Sequence, residues 1–369
     1  MTMLLGAYRR RSSLGRGLST ISFRRSVHKI TSTERTVRRE LLEKVYAPFH
    51  GLDRASQEYQ ELADSGRVWE DYFRPYDIGP YKAFQEVDNV QQLLAEIDVL
   101  QKLMKPRIPD LARLLVAEYA HQSVVIENNA VKFGESLKVY DLLTEKVFKT
   151  TQLSTLRAQD LSTIPSPRFR AEGDSSDVNE LKNHFIISQW IAETAPKGQG
   201  SSGLNEEDVR SIVSRAVQGT EGEDVFTLSW GGRVPLGGYR RSPIGVRSNP
   251  LRIFPYPDEV PACMNRFFLW REEQHRKKVL HPLVLACHQM VYFAYIHPFP
   301  DGNGRTSRVL MHDYLVRQGY LPVVFQNLDR DEYVGMVSDA QDGMPDNFLH
   351  EVLRCEYEEL MTFWSRQHF

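Results

Sequence analysis

The sequence predicts an all-α fold interrupted by one short β-hairpin. Two observations carry this reading. Apolar residues recur at helical spacing in one stretch after another, from Val90 to Trp364. Between Trp230 and Pro250 that pattern stops. There Gly231, Gly232, Gly237, Gly238 and Gly245 break up a segment holding Tyr239, Ile244 and Val246, which reads as short strands with turn residues. At 369 residues the chain has room for two domains and a large core.

Residues 1–33 hold seven Lys or Arg and no Asp or Glu, with Leu4, Leu5, Leu14, Leu18, Ile21 and Phe23 spread among them. This matches an amphipathic mitochondrial transit peptide or a disordered basic tail. The first reading places the protein in mitochondria and the second in the cytoplasm; both leave the segment outside the fold. The remaining chain carries 39 basic against 48 acidic residues, and so acidic a body argues against non-specific nucleic-acid binding. Cys263, Cys287 and Cys355 are far apart with no CxxC pair, so neither a disulfide framework nor a cysteine metal site is expected.

A helix is expected from Thr36 to Tyr46. A second carries Val90, Leu93, Leu94, Ile97, Leu100 and Leu103 and stops before Pro106. A third begins near Pro109 with Leu111, Leu114, Leu115 and Tyr119 on one face, and ends at Ser123-Val-Val-Ile-Glu127-Asn128-Asn129. Ser123 and Glu127 are four apart and share a face, and the asparagine pair suits a left-handed helix end. Residues 151–177, rich in Ser, Thr and Pro, read as a loop or linker. Helix returns from Asp177 to Glu193, with Val178, Leu181, Phe185, Ile186 and Trp190 as its stripe. Asn205, followed by Asp208, is an N-cap for a helix reaching Val217. Pro255–Arg276, Leu280–Ile296 and 347–364 are further helices, with short helices between Phe325 and Phe348. Leu280–Ile296 is the most apolar run, yet it contains His281, Pro282, His288 and Gln289, so it reads as a core helix and not a membrane span.

Chemistry concentrates in residues 297–308, His-Pro-Phe-Pro-Asp-Gly-Asn-Gly-Arg-Thr-Ser-Arg. His297-Pro298 ends the preceding helix. After it, Val309, Leu310, Tyr314 and Leu315 recur at helical spacing up to Gly319, a C-terminal cap. Gly302, Asn303 and Gly304 therefore sit at a helix start, where free N–H groups and glycines form an anion site. Arg305 and Arg308 share a face of the first turns, Asp301 is a ligand for a divalent cation on the same anion, and His297 is a base at the lip of the loop. Phosphate is the guest these residues fit.

This stretch resembles the Fic family signature, His-x-Phe-x-Asp/Glu-Gly-Asn-Gly-Arg-x-x-Arg, at every specified position. The resemblance implies transfer of AMP from ATP to a Ser, Thr or Tyr hydroxyl of a target protein, with His297 as general base and Mg²⁺ on Asp301. It assigns the α-phosphate to Gly302, Asn303 and Gly304, the β-phosphate to Arg305 and the γ-phosphate to Arg308. Phe299 would anchor the loop in the core.

With that signature present, Ser123 to Asn128 resembles the family's inhibitory motif, Ser/Thr-x-x-x-Glu-Gly/Asn. The resemblance implies that Glu127 pairs with Arg308 and holds the enzyme repressed. In some relatives the same glutamate serves removal of AMP, so reversal of the modification, or transfer of another nucleotide, is the alternative. The hairpin would be the family's flap, which holds a target segment by strand addition, with Arg240, Arg241, Ser242, Pro243, Ile244, Gly245 and Val246 as its candidates.

The implied organisation is a tail at 1–33, an N-terminal helical region with the inhibitory helix at 34–150, and a Fic catalytic domain at 178–369. A homodimer is implied as well, though no patch marks an interface. Two rivals are weaker. A zinc hydrolase built on His281, His288 and His297 has poor helical spacing and lacks a partner glutamate motif. A silent interaction module has no need of an intact histidine, aspartate and arginine pair.

Overall fold

The computed structural model describes residues 31–73, 84, 87, 90–228, 232–246, 249–326 and 328–368. Helix dominates it. The tail expected at 1–33 lies outside the described residues up to position 30. Thr31 and Glu34 form a capping box that starts helix α1, Ser32–Val45. The expected start at Thr36 was therefore four residues late.

Helices α2 (Gln57–Ser65) and α3 (Val68–Phe73) follow. They are docked on the core by two buried glutamates, since Glu259 accepts from the Val68 N–H and Glu70 accepts from the Tyr292 hydroxyl. Next come α4 (Gln91–Met104), α5 (Ile108–Val125) and α6 (Phe133–Leu143). The sequence reading had no element for α6, whose apolar stripe is short.

The segment 151–177 is not a free linker. Leu153, Ala158 and Leu161 are buried, the Trp190 indole donates to the Leu156 carbonyl at 3.0 Å, and Lys182 pairs with Asp174 at 2.7 Å. A few small anchors were enough to pin a stretch whose composition looked loose.

Helices α7 (Ser176–Thr194), α8 (Glu206–Val217) and α9 (Glu221–Leu228) lead to an irregular stretch. Then α10 (Val260–Lys277), α11 (Pro282–Ile296), α12 (Asn303–Gln318), α13 (Arg330–Gln341) and α14 (Asp346–His368) complete the fold. Nearly every side chain of α11 is buried, as expected of a helix apolar all round. It packs along α12, while α5 packs along α7 and touches α12. That brings the end of α5 to the start of α12. No described helix is long and apolar enough to cross a membrane.

The strands expected between Trp230 and Pro250 are not formed among the described residues. Residues 241–246 begin in a bend and alternate in exposure: 241, 243 and 245 are exposed while 242, 244 and 246 are half-buried. Side chains have taken over the pairing. Arg38 on α1 donates to the carbonyls of Ile244 (3.1 Å), Pro250 (2.6 Å) and Arg252 (3.0 Å).

Candidate active site

The loop between α11 and α12 is braced from inside. Phe299 is fully buried, with its ring against Tyr239 and Phe293. Asn303 closes the loop reciprocally, accepting from the Phe299 N–H at 2.9 Å and donating to the Phe299 carbonyl at 2.8 Å. The Asn303 side chain is buried and engaged in bracing the loop, which leaves its backbone N–H for an anion at the helix start. Gly302 sits at φ +82 as the N-cap of α12, a conformation only glycine adopts without strain.

His297 is the C-cap of α11, also left-handed at φ 51, which is uncommon for a side-chain-bearing residue. That kink turns the imidazole to the cavity wall. Its Nδ1 lies 3.2 Å from the Ala294 carbonyl. A carbonyl only accepts, so Nδ1 carries the proton and Nε2 is left with a free lone pair. Loss of solvation pushes the imidazole down to about 4, against a smaller upward pull from the Ala294 contact.

Arg240 explains how this strained cap persists. Its backbone N–H donates to the Pro298 carbonyl at 2.9 Å and its Nε to the His297 carbonyl at 2.8 Å, while its terminal nitrogens reach Ser242 and Pro255. At 2% exposure it cannot meet a target by its side chain. The expectation that Arg240 belongs to a target-binding surface is corrected: it is a prop for the loop, because that loop offers outward carbonyls that need a donor. Of the neighbouring candidates, Arg241, Pro243 and Gly245 are exposed, Ser242 and Ile244 are half-buried, and Val246 lines the same cavity as His297.

That cavity, about 450 Å³, is also lined by Glu127, Glu180, Asp301, Gly302, Asn303, Gly304, Arg305 and Arg308. Ser123 on α5 and Glu127 in the turn just past its end converge on Arg308. Its Nε donates to Ser123 Oγ at 2.8 Å, and one terminal nitrogen donates to the Ser123 carbonyl and to Glu127 Oε1, both at 2.7 Å. The Arg308 guanidinium also lies over the Tyr333 ring, 5.4 Å from its centroid. Burial pushes the Glu127 carboxyl up, but Arg308, together with Arg305 and Arg330, more than offsets this and holds it below the usual range. Asn128, in the turn just past the end of α5, is left-handed at φ 67.

Two residues that the sequence reading missed complete the site. Glu180 on α7 pairs with Arg305 at 2.8 Å, alongside Asp301 at 3.2 Å. Asn129 donates to Glu180 at 2.7 Å and to the Asp177 carbonyl at 2.8 Å, tying the end of α5 to α7. Burial raises the Glu180 carboxyl, with Arg305 opposing. Glu180 lies in no motif and no local signal marks it, while Asn129 was read only as part of a helix end and not as a link to α7.

The three histidines of the zinc alternative do not converge. His281 meets Asp98 and Tyr320, His288 stacks on Phe84, and His297 faces the cavity.

An all-helical core presenting a helix N-terminus, a base and two buried arginines to one cavity defines a phosphate-binding class of site. Residues 203–315 match the Fic/DOC family. Over 119 residues the chain is 35% identical to the protein adenylyltransferase Fic of Nematostella vectensis, covering 32% of this chain and 27% of that protein. Over 130 residues it is 35% identical to the protein of the same name in Drosophila melanogaster, covering 35% of this chain and 26% of that one. The chain thus spans about a quarter of the length of the curated relatives it matches. A Fic-domain-containing signaling protein from Bacteroides thetaiotaomicron superposes with a TM-score of 0.53 at 22% identity, over 74% of this chain and 95% of the other. Fic-1 from C. elegans superposes with a TM-score of 0.52 at 15% identity, over 99% and 98%. These two likenesses show the fold.

Proposed function

We propose that the protein is an adenylyltransferase moving AMP from ATP to a hydroxyl side chain of a target protein, and that it rests in a repressed state. The observation that carries the reading is the cavity shared by His297, the start of α12 and Arg308, with Glu127 on Arg308. The names of the curated relatives support the choice of ATP and of a protein target.

On this reading His297 Nε2 takes the proton of the incoming hydroxyl, its tautomer already set by Ala294. The N–H groups opening α12 hold the α-phosphate, where charge builds as the bond to the leaving pyrophosphate breaks. Arg305 steadies the β-phosphate and Arg308 the γ-phosphate, which aligns the α-phosphorus with the hydroxyl. While Glu127 holds Arg308, the triphosphate lacks that grip and binds out of line.

Asp301 suits Mg²⁺: its side chain is 40% exposed and faces the cavity, and Mg²⁺ characteristically takes one or two carboxylates with the substrate phosphates supplying the rest. When bound, the ion would neutralise charge on those phosphates. Residues 241–246, whose side chains alternate in exposure, are the proposed seat for a target segment.

The test is incubation of wild type, Glu127→Gly and His297→Ala with α-labelled ATP and cell lysate. Label on protein with the Glu127→Gly form and none with His297→Ala is expected. Equal labelling by all three would end the proposal.

A further inference from the structure

Four arginines line the cavity among the described residues: Arg252, Arg305, Arg308 and Arg330. Three are committed to carboxylates. Arg252 donates to both oxygens of Asp342, at 2.7 and 2.9 Å. Arg305 holds Glu180 and Asp301, and Arg308 holds Glu127. Arg330 differs. The carboxylate beside it is that of its chain neighbour Asp331, at 3.7 Å and with the side chain 97% exposed. That separation is too long for a hydrogen bond.

The Arg330 Nε is buried and has no hydrogen-bond partner. A guanidinium N–H shielded from water and left without an acceptor is costly, so its position makes sense if a ligand supplies the acceptor. The side chain is also well directed. Arg330 is the first residue of α13, whose start is fixed by Asp329 accepting from the Glu332 N–H at 2.8 Å. Its field already reaches the site, helping to hold the Glu127 carboxyl ionised.

The charge of the closed site gives this a purpose. A triphosphate entering while Arg305 and Arg308 are each neutralised by internal carboxylates gains little from either. Arg330 offers a cation without any internal pair being broken. We propose that Arg330 is a further nucleotide-binding residue, taking the terminal phosphates of a nucleoside triphosphate while Glu127 keeps Arg308 occupied. It lies outside the signature and outside the region matched to the family, and the assignment rests on the reading of the cavity as an ATP site. It accounts for how a repressed enzyme keeps its nucleotide loaded.

Isothermal titration with ATP and with AMP, on wild type and Arg330→Gln, tests it. The variant should lose about tenfold or more in ATP affinity, the loss of one charge-assisted contact. AMP, which lacks the terminal phosphates, should change less than about twofold. The melting temperature should hold, since no internal partner is lost. In the Glu127→Gly background the penalty on ATP should shrink, because Arg308 is then free to take the same phosphates. Unchanged ATP affinity, or equal losses for ATP and AMP, would overturn the assignment. A wild type that binds neither nucleotide would overturn the ATP-site reading and this assignment with it. A wild type that binds ATP as tightly as Arg330→Gln does would overturn the assignment alone.

Discussion

A Cβ placed on Gly304 would overlap Oε1 of Glu127, the same oxygen that accepts from Arg308 at 2.7 Å. Two distant parts of the chain are fitted to one another here: α12 omits a side chain where the turn after α5 inserts one. Gly304→Ala should therefore destabilise the wild type by about 1–3 kcal/mol, the usual cost of overpacking. The penalty should fall in a Glu127→Gly background. Equal penalties in urea melts of the two backgrounds would show that the fit does not matter.

Removing Glu127 leaves the anion loop intact and releases Arg308. Transfer by Glu127→Gly should rise on the order of tenfold or more, in line with ordinary coupling energies between sites. Quantified AMP incorporation, with ATP binding measured alongside, checks this. A variant that binds ATP and transfers no faster would refute repression by this contact.

His297→Ala should lose roughly 10²–10⁴ in turnover, the range for general-base assistance. The pH profile carries a sharper expectation. With the imidazole pushed down to about 4, its base form prevails at any pH above that. Turnover should stay level between pH 8 and about 5.5 instead of dropping near the ordinary histidine value of about 6.5. A fall centred near that ordinary value would contradict the buried environment described for this ring.

Two buried histidines oppose folding in acid for a related reason. His288 and His312 are fully buried, and burial pushes both down to about 3. Below about pH 6.5 the unfolded chain takes up these protons and the folded chain does not, so these two rings lose stability as pH falls. At pH 5 each ring costs about 2 kcal/mol relative to neutral pH. Burial acts the other way on the Glu259 and Glu356 carboxyls, raised to about 7 and about 8, which gain stability over the same range, so the histidine contribution is read as a difference between variants. Between pH 7.5 and 5, His288→Gln should gain about 2 kcal/mol relative to wild type in urea melts. An identical pH dependence in the two proteins would be inconsistent with a neutral buried ring.

Arg240→Ala should lower stability by about 3 kcal/mol, because buried carbonyls at His297 and Pro255 lose their donor. Turnover should fall with it while the KM for a protein target stays put. A raised target KM with an unchanged melt would instead restore this residue to the target-binding surface.

The helices around the site were legible because periodicity and caps are local. Gly319 ends α12 and Asn205 opens α8 where the sequence reading put them. Glu127 was also within reach, since its spacing from Ser123 and the signature at 297–308 each leave a mark in sequence. Arg240 was misread because burial is settled by tertiary packing; on paper an arginine pair beside a proline resembles a surface. Glu180, the partner of Asn129 and the cavity position of Arg330 were invisible for the same reason. Each matters through a partner or a cavity assembled from other helices, and no short window of residues contains that information. The hairpin was misjudged because turn-forming glycines signal a reversal of the chain without guaranteeing that its two arms pair.

Arg38 extends from α1 to the carbonyls of Ile244, Pro250 and Arg252, and on the same helix-to-loop seam the Tyr46 hydroxyl donates to the Phe254 carbonyl, whose ring leans on His297 at 4.7 Å. The seat proposed for a target is thus already gripped from behind by the first helix, and that grip continues to the base. Whatever loosens α1, whether a protease nick, a bound ligand or a neighbouring domain, would act as a remote throttle on recognition. It would be felt first as weaker affinity for the target and only later as slower chemistry.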